Sequence, residues 1–502
     1  MRSPRLLIPL LLSLAASAQP AAILTPQPGP KPRINGPKVH GVRPGNPVLY
    51  RIPATGDRPM TFSVRNLPAG LKLDPKTGII SGSLRERGEY RMTLEARNKR
   101  GKADREFKIV AGDTLALTPP MGWSTWYMAY ANISDKLVRE QADAMISSGL
   151  ADHGYQYVNI DDGWNIKPGS DDPIVGGPPR DENGNLRTSK NFPDMNGMTD
   201  YVHSKGLKIG IYISPGPLTC ARFEGSYGHE EQDARQFARW GFDFLKYDWC
   251  GYSKVAKDKS VEELKKPYLK MGAILKTLDR DFVYNLCQYG MGNVWEWGRE
   301  TGGNFWRTFG DVGGGKHDDR ALWRNMTKMG FGQAGMEKYA GPGGWNDPDN
   351  LLIGHILWQR QMVPTPLTPD EQYTYMSLWA VMAAPLVFGG DMTKLDEFTL
   401  SLLANDEVIE VNQDVLGKQG APAAKSGDQE VWVKDLEDGS KAVGLFNRGE
   451  AETEIAARWS DLGIRGRHKV RDLWRQKDVG SFEGEFKTKV APHGTALVKI
   501  GR

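Results

Sequence analysis

The chain is poor in the residues that most often hold a metal ion. Three cysteines and eight histidines occur among its 502 residues. The sequence contains no C-x-x-C pair, no H-E-x-x-H motif and no spaced histidine cluster, which are the patterns typical of zinc sites. We therefore expect no metal ion and no cofactor.

The chain also lacks a strong charge of either sign. Its formal net charge is +4 at pH 7, and no basic stripe with interleaved aromatic residues occurs. Hydrophobic and charged fractions of 39% and 25% are those of an ordinary globular protein. This balance argues against nucleic acid as the main partner.

Long apolar segments are missing too. The apolar run at residues 6–14 is too short to span a bilayer, and no later segment is long enough. Two arginines precede this run and Ala16-Ser17-Ala18 follows it, which is the layout of a secretory signal peptide over residues 1–18. We therefore expect export to the periplasm or the extracellular space, and no membrane span.

The length of the chain predicts several domains. Residues 19–33 are rich in Pro, Ala and Gly and are interpreted as a linker. Over residues 34–113 apolar and polar residues alternate between turn signals, which predicts a small immunoglobulin-like (Ig-like) β-sandwich. This segment contains no group of residues suited to catalysis, so we expect a spacer or packing module.

Strand and helix signals alternate over residues 117–414. Eight strand-then-helix units occur there, which predicts a (β/α)8 barrel. A doubly wound open sheet is the alternative, but no glycine-rich phosphate fingerprint supports it. Helical signals then stop, and residues 416–502 predict an antiparallel β-sandwich with a hairpin turning at Asp438-Gly439.

Residues capable of chemistry stand at the predicted carboxyl ends of the barrel strands, where such barrels place their active sites. Lys246 and Asp248 end the fourth strand, and because strand side chains alternate, both point to the same face. The strand ends together supply carboxylates, cations, aromatic rings and an amide: Trp126, Asp161, Asp162, Tyr212, Lys246, Asp248, Gln288, Arg307, Asp311, Asp347 and Asp349.

Two carboxylates on different strands are the minimum for retaining glycoside hydrolysis. Asp248 and Asp311, on strands four and six, could flank a sugar, and Lys246 would favour the ionised form of Asp248. A metal-dependent isomerase on the same barrel is the alternative from pattern alone. For Asp347 and Asp349 we expect a structural role, such as helix capping or calcium binding.

The sequence resembles glycoside hydrolase family 27, the α-galactosidases or melibiases. The resemblance runs from residue 117 to the C-terminus and rests on the motifs "TPPMGWSTW", "YVNIDDGW", "LKIGIY", "FLKYDWC", "WRTFGD" and "GPGGWNDPDNLLIG", in family order. It implies a catalytic (β/α)8 barrel followed by an antiparallel β-domain. The Ig-like module is an addition to that plan.

The resemblance implies roles for individual residues. Asp248, in the K-x-D motif, corresponds to the family's nucleophile, and Asp311, which closes the W-R-x-x-x-D motif, corresponds to its acid/base. The family's disulfide near the nucleophile maps onto Cys220 and Cys250. The family's sugar contacts map onto Trp126, Asp161, Asp162, Tyr212, Lys246 and Arg307.

Two positions depart from the family pattern. Gln288 stands where many relatives have Glu or Asn facing the 2-position of the sugar, and its long polar side chain favours a 2-hydroxyl and hence galactose. Gly163 stands where many eukaryotic relatives have cysteine, so we expect no second disulfide there.

These observations indicate an exported, retaining, exo-acting α-galactosidase that removes terminal α-D-galactosyl residues from oligosaccharides or polysaccharides through a covalent intermediate on Asp248. The alternatives within the family are an α-N-acetylgalactosaminidase and a β-L-arabinopyranosidase. Asp161, rather than a bulkier residue, favours a pocket that holds the hydroxymethyl group of galactose. A non-catalytic carbohydrate-binding protein is the alternative of another class, and the presence of both aspartates argues against it.

Overall fold

Alternating apolar residues near the start of the chain fold into two facing sheets. The computed structural model describes residues 22–315, 318 and 320–502, and the predicted signal peptide, residues 1–18, lies outside them. One sheet has the order β2-β9-β8-β5 and the other β3-β7-β6, while β1 pairs with β4. Tyr50, Ile80, Leu94 and Phe107 are buried between the two sheets. The strands are β1 Arg33–Ile34, β2 Val39–Val42, β3 Pro47–Arg51, β4 Ala54–Thr55, β5 Thr61–Arg65, β6 Leu71–Leu73, β7 Ile79–Ser83, β8 Gly88–Asn98 and β9 Gly101–Ala111.

The middle of the chain forms the predicted (β/α)8 barrel. Eight parallel strands pair in the order β16-β15-β14-β13-β12-β11-β10-β19, and a parallel bridge between Leu351 and Phe388 joins the two ends of this order. The barrel strands are β10 Met121–Ser124, β11 Tyr157–Asn159, β12 Lys208–Ile213, β13 Phe244–Asp248, β14 Val283–Cys287, β15 Phe305–Arg307, β16 Trp345–Asp347 and β19 Leu386–Phe388. A hairpin, β17 His355–Trp358 and β18 Gln361–Pro364, is inserted before α8.

Ten helices accompany the described barrel strands. Most begin at a side-chain cap; Thr368, for example, forms a capping box with Glu371 at the start of α8. None of the helices in the described part of the chain combines the length and the apolar content needed to cross a membrane. Their bounds are α1 Trp126–Ala129, α2 Asp135–Ser147, α3 Met195–Ser204, α4 Glu230–Trp240, α5 Val261–Leu275, α6 Val294–Trp297, α7 Ala321–Phe331, α8 Pro369–Val381, α9 Glu397–Leu403 and α10 Asp406–Asn412.

The C-terminal residues form an antiparallel β-domain. Its main sheet has the order β20-β21-β22-β27-β24-β25, and β23 pairs with β26. The predicted turn at Asp438-Gly439 connects β21 to β22. The elements are β20 Ala421–Ser426, β21 Gln429–Asp435, β22 Lys441–Asn447, β23 Thr453–Arg458, α11 Trp459–Leu462, β24 Arg467–Asp472, β25 Lys477–Glu483, β26 Glu485–Val490 and β27 Thr495–Gly501.

The predicted linker is attached to the barrel in its described part. The hydroxyl of Tyr373 on α8 accepts a hydrogen bond from the backbone of Leu24 at 3.0 Å. Thr25 is buried and donates to the carbonyl of Ser401 on α9 at 2.8 Å. The sequence predicts a linker here, and these hydrogen bonds attach Leu24 and Thr25 of that linker to the barrel helices.

One arginine of the Ig-like domain, Arg43, makes several hydrogen bonds with the barrel. Arg43 Nε donates to Asp281 Oδ1 at 2.6 Å, and its backbone N–H donates to Asp281 Oδ2 at 2.9 Å. The same guanidinium donates to the carbonyls of Lys276 and Arg280. Both side chains of the ion pair are more than four-fifths buried. Charge-assisted hydrogen bonds of this kind are stronger than those between neutral groups.

We expect Arg43→Ala to lower the free energy of unfolding by about 1 to 3 kcal/mol, because it leaves the largely buried Asp281 without its cation. Urea denaturation of the full chain measures the change. The control is Arg91→Ala, which removes an exposed ion pair with Glu89 in the same domain and should leave the midpoint unchanged. Equal effects of the two substitutions would contradict this account of the interface.

Candidate active site

The fourth barrel strand carries a lysine and an aspartate to the same face, as the alternation of side chains predicts. Lys246 Nζ lies 2.7 Å from Asp161 Oδ2 and 3.9 Å from Asp248 Oδ2. Burial lowers the pKa of Lys246, but the neighbouring carboxylates outweigh burial and hold that pKa well above its ordinary value. Lys246 is therefore a cation at the carboxyl end of the barrel, with its side chain 21% exposed.

Asp248 is buried and still has the partners that an ionised carboxylate needs. Its side chain is only 4% exposed, and the hydroxyl of Tyr289 donates to its Oδ1 at 2.5 Å. Burial raises the pKa of Asp248, Lys246 and Tyr289 act to lower it, and the charge of Asp311 raises it again. Asp311 is thus close enough to Asp248 to influence its charge.

The two adjacent aspartates after β11 have different surroundings. Asp161 pairs with Lys246, and its backbone N–H donates to the hydroxyl of Thr125. Asp162 instead accepts hydrogen bonds from Thr219 Oγ1 at 2.8 Å and from the backbone of Ala221 at 2.7 Å. Burial raises the pKa of Asp162 to about 7. Asp162 therefore positions the loop after β12.

That loop is also joined by a disulfide to the segment that follows β13. Cys220 and Cys250 are bonded to each other, as the resemblance implied. The hydroxyl of Tyr212 lies 3.2 Å from the sulfur of Cys220, and its ring lies 5.2 Å from the Nζ of Lys246. In the described residues, Cys220, Asp248 and Cys250 form a group with metal-binding geometry, but disulfide sulfurs are not thiolate ligands.

The sixth strand contributes a buried arginine that contacts two aspartates. One terminal nitrogen of Arg307 lies 3.1 Å from Asp311 Oδ1 and 3.1 Å from Asp349 Oδ2. Asp349 also accepts hydrogen bonds from the backbone of Val312 and from the hydroxyl of Tyr127. The side chain of Asp311 is 42% exposed, so it is accessible to a substrate and to water.

A small cavity of about 30 Å³ lies beneath these charged groups. It is lined by Asp161, Lys246, Arg307 and also by Asp347 and Asp349, for which the sequence predicted a structural role. Its size suits a hydroxyl group or a water molecule. Asp349 holds Arg307 and the loop after β15 in place, which is a structural role. Asp347 and Asp349 also line this cavity.

Trp126 lies outside the strand that the sequence predicted for it, whereas Gln288 follows β14 as predicted. Trp126 begins α1, since β10 ends at Ser124, and its ring packs edge-on against Tyr130 at 5.2 Å. Gln288 is completely buried, and its amide atoms make no hydrogen bond with the part of the chain that the structure describes. A contact of Gln288 with the 2-hydroxyl of a sugar stays a prediction.

Sequence reasoning missed two residues beside Asp248. Tyr289 follows β14, and its hydroxyl reaches Asp248 Oδ1 from 41 positions away in the chain. Cys287 ends β14, with its sulfur 3.8 Å from a terminal nitrogen of Arg307. Burial raises the pKa of the Cys287 thiol well above its ordinary value. In the sequence, a role for Tyr289 and Cys287 was indicated only by their position at the end of a predicted barrel strand.

Comparison with known proteins identifies the family to which the chain belongs. The family model described as "Alpha galactosidase A" matches residues 118–414, and a model of the "Alpha galactosidase C-terminal beta sandwich domain" matches residues 426–500. The chain belongs to the alpha galactosidase A family. It is therefore a glycoside hydrolase. An Ig-domain model matches residues 31–112, which accounts for the N-terminal sandwich.

Individual relatives cover most of this glycosidase. "Alpha-galactosidase 2" of Arabidopsis thaliana is 38% identical over 400 residues, which are 79% of this chain and 92% of the relative. The crystal structure of a candidate alpha-galactosidase from Bacteroides fragilis is 36% identical, covers 96% of this chain and 99% of its own, and has a TM-score of 0.85. A β-L-arabinopyranosidase from Geobacillus stearothermophilus is 27% identical over 77% of this chain and 97% of its own, with a TM-score of 0.66.

We expect Tyr289→Phe to raise the pKa of Asp248, because the hydroxyl of Tyr289 stabilises the charged carboxylate. If Asp248 must be ionised to react, activity is lost as the pH falls through this pKa. The acidic limb of kcat/KM against pH for an aryl glycoside should therefore move to higher pH. Tyr227→Phe, which changes an exposed tyrosine, is the control. An unmoved acidic limb would refute this role of Tyr289.

Proposed function

We propose that this glycosidase is a retaining, exo-acting α-galactosidase in which Asp248 is the nucleophile and Asp311 the acid/base. The observation that carries the proposal is the contrast between the two aspartates. Asp248 is buried against a cation and a hydroxyl donor, as a carboxylate nucleophile requires. Asp311 is partly exposed beside Arg307, where a leaving group and water can reach it.

The reaction proceeds in two displacements. In the first, the Asp248 carboxylate attacks the anomeric carbon, the glycosidic C–O bond breaks, and Asp311 gives its proton to the departing oxygen. In the second, Asp311 takes a proton from water, whose oxygen attacks the anomeric carbon and releases Asp248. Two inversions return the sugar to its original anomeric configuration.

The polar groups around Asp248 support a hydroxyl-rich sugar as the substrate. Lys246 and Asp161 supply a donor and acceptors at the cavity below the site, and Arg307 supplies further donors. Trp126, partly buried at the start of α1, offers an apolar ring. We assign the substrate as a terminal α-galactoside of an oligosaccharide or polysaccharide, in line with the names of the relatives.

Export from the cytoplasm is part of the proposal. The disulfide between Cys220 and Cys250 supports it, because disulfides persist in oxidising compartments. The predicted signal peptide supports it from the sequence. The destination is the periplasm or the extracellular space.

The test is hydrolysis of nitrophenyl α-galactoside, α-N-acetylgalactosaminide and β-L-arabinopyranoside by the wild type and by Asp248→Asn. We expect the α-galactoside to be preferred, and Asp248→Asn to lower kcat by at least about a thousandfold, since the covalent route is lost. Asp311→Asn should spare the first step for an activated aryl leaving group, which needs no proton, and slow the second.

Asp200→Asn, an exposed substitution on α3, is the matched control and should retain full activity. Undiminished activity of Asp248→Asn would sink the mechanism. Preference for the arabinopyranoside would keep the mechanism and replace the assigned sugar, as would preference for the N-acetylgalactosaminide. Binding of galactose without hydrolysis of any of the three would favour a non-catalytic protein.

A further inference from the structure

A second, larger cavity lies between the Ig-like domain and the barrel. Its volume is about 370 Å³, which is in the range that holds small ligands. The barrel wall of this cavity contains the first residues of two strands, Tyr157 of β11 and Lys208 of β12, and also Asp243, which directly precedes β13. The opposite wall is formed by β2, β3 and β7 of the Ig-like domain. Asp248 lies at the other end of β13, so this cavity is separate from the candidate active site.

The carboxylates in the wall of this cavity already have partners. Asp243 contacts Nε2 of His203 at 2.7 Å and a terminal nitrogen of Arg280 at 2.5 Å. Burial raises the pKa of Asp243, but these partners outweigh burial and keep the pKa below its ordinary value. Asp281 is paired with Arg43, as described above. Neither carboxylate forms an ion pair with Lys208, although the charges of both attract it and oppose the lowering of its pKa by burial.

Lys208 is the cation that remains. Lys208 is 9% exposed, and its Nζ makes no hydrogen bond or ion pair with any residue that the structure describes. Its Nζ contacts the ring of Tyr157, whose centroid lies 5.6 Å away. By contrast, Lys434, which is also buried, donates from Nζ to the carbonyl of Lys418. A largely buried ammonium that only more distant carboxylates attract is stabilised further by an anion that pairs with it directly.

The surroundings of Lys208 suit a polar ligand that enters from solvent. His40 of β2 lines the same cavity, and burial together with the charge of Lys208 lowers its pKa, so His40 is neutral and can both donate and accept a hydrogen bond. The exposed Lys72 lines the cavity as well, which places another cation at its solvent side.

We propose that this cavity binds a small molecule bearing an oxyanion, a carboxylate or a phosphate, with Lys208 as its charge partner and His40 as a neutral hydrogen-bonding partner. The volume fits a molecule of about the size of a monosaccharide, such as a sugar acid or a sugar phosphate. Because both domains form the walls, the bound anion bridges the Ig-like domain and the barrel.

Isothermal titration of the full-length protein tests this proposal, with inorganic phosphate and with glucuronate as separate probes at constant ionic strength set by chloride. We expect saturable binding of at least one probe. Lys208→Met should weaken that binding by about tenfold or more, because a charge-assisted hydrogen bond is lost. Lys208→Arg, which keeps the charge, should retain most of it. Phosphate binding alone or glucuronate binding alone identifies the headgroup.

Lys136→Met is the matched control, since it removes the same charge from an exposed position on α2. It should bind the probe as the wild type does. Far-UV circular dichroism and a thermal melt check that each variant is folded, and Lys208→Gln replaces Lys208→Met if the latter is not. The proposal is overturned if neither probe binds the wild type, or if a folded neutral variant at position 208 binds with unchanged affinity.

Discussion

The candidate active site depends on keeping a buried carboxylate charged. Asp248 is almost completely excluded from water, and burial opposes its ionisation. Lys246 offsets this effect only in part, because its Nζ is much nearer to Asp161 than to Asp248. The resulting balance suits a nucleophile, since a carboxylate in a short, fully neutralising ion pair would be a weaker attacking group.

The remaining contacts of the site fix the positions of these charges. Asp162 and the Cys220–Cys250 disulfide hold the loop after β12 against β13. Asp349 holds Arg307, and Arg307 in turn contacts Asp311. Each proposed reacting group is therefore placed by a partner on another strand or loop, so little reorganisation is needed when the substrate arrives.

The sequence was sufficient for the architecture and for the centre of the site. Regular alternation of strand and helix signals predicts the barrel, and the two-residue spacing of Lys246 and Asp248 predicts their common face. The contact of Tyr289 with Asp248 could not be predicted, because it joins the ends of two strands and leaves no local pattern. The attachment of residues 22–33 through Leu24 and Thr25 was missed for the same reason, since composition reports chain flexibility and not the hydrogen bonds that remove it.

The amino end of the barrel buries a cation, Lys208, and the carboxyl end buries a carboxylate, Asp248. Strands β12 and β13 run from one end to the other. Asp243 directly precedes β13 and Asp248 is its last residue, so roughly 15 Å of extended chain separates the two carboxylates. Charges that far apart interact weakly when each has its own cation, as Asp243 has in Arg280 and Asp248 has in Lys246. The Ig-like domain contacts the amino end, where Asp281 and Lys208 lie, and does not reach the carboxylates at the other end. We therefore expect any effect of this domain on catalysis to pass through the positions of the strands that reach the shared cavity, β11 to β14, which lead to the residues of the candidate active site at the other end.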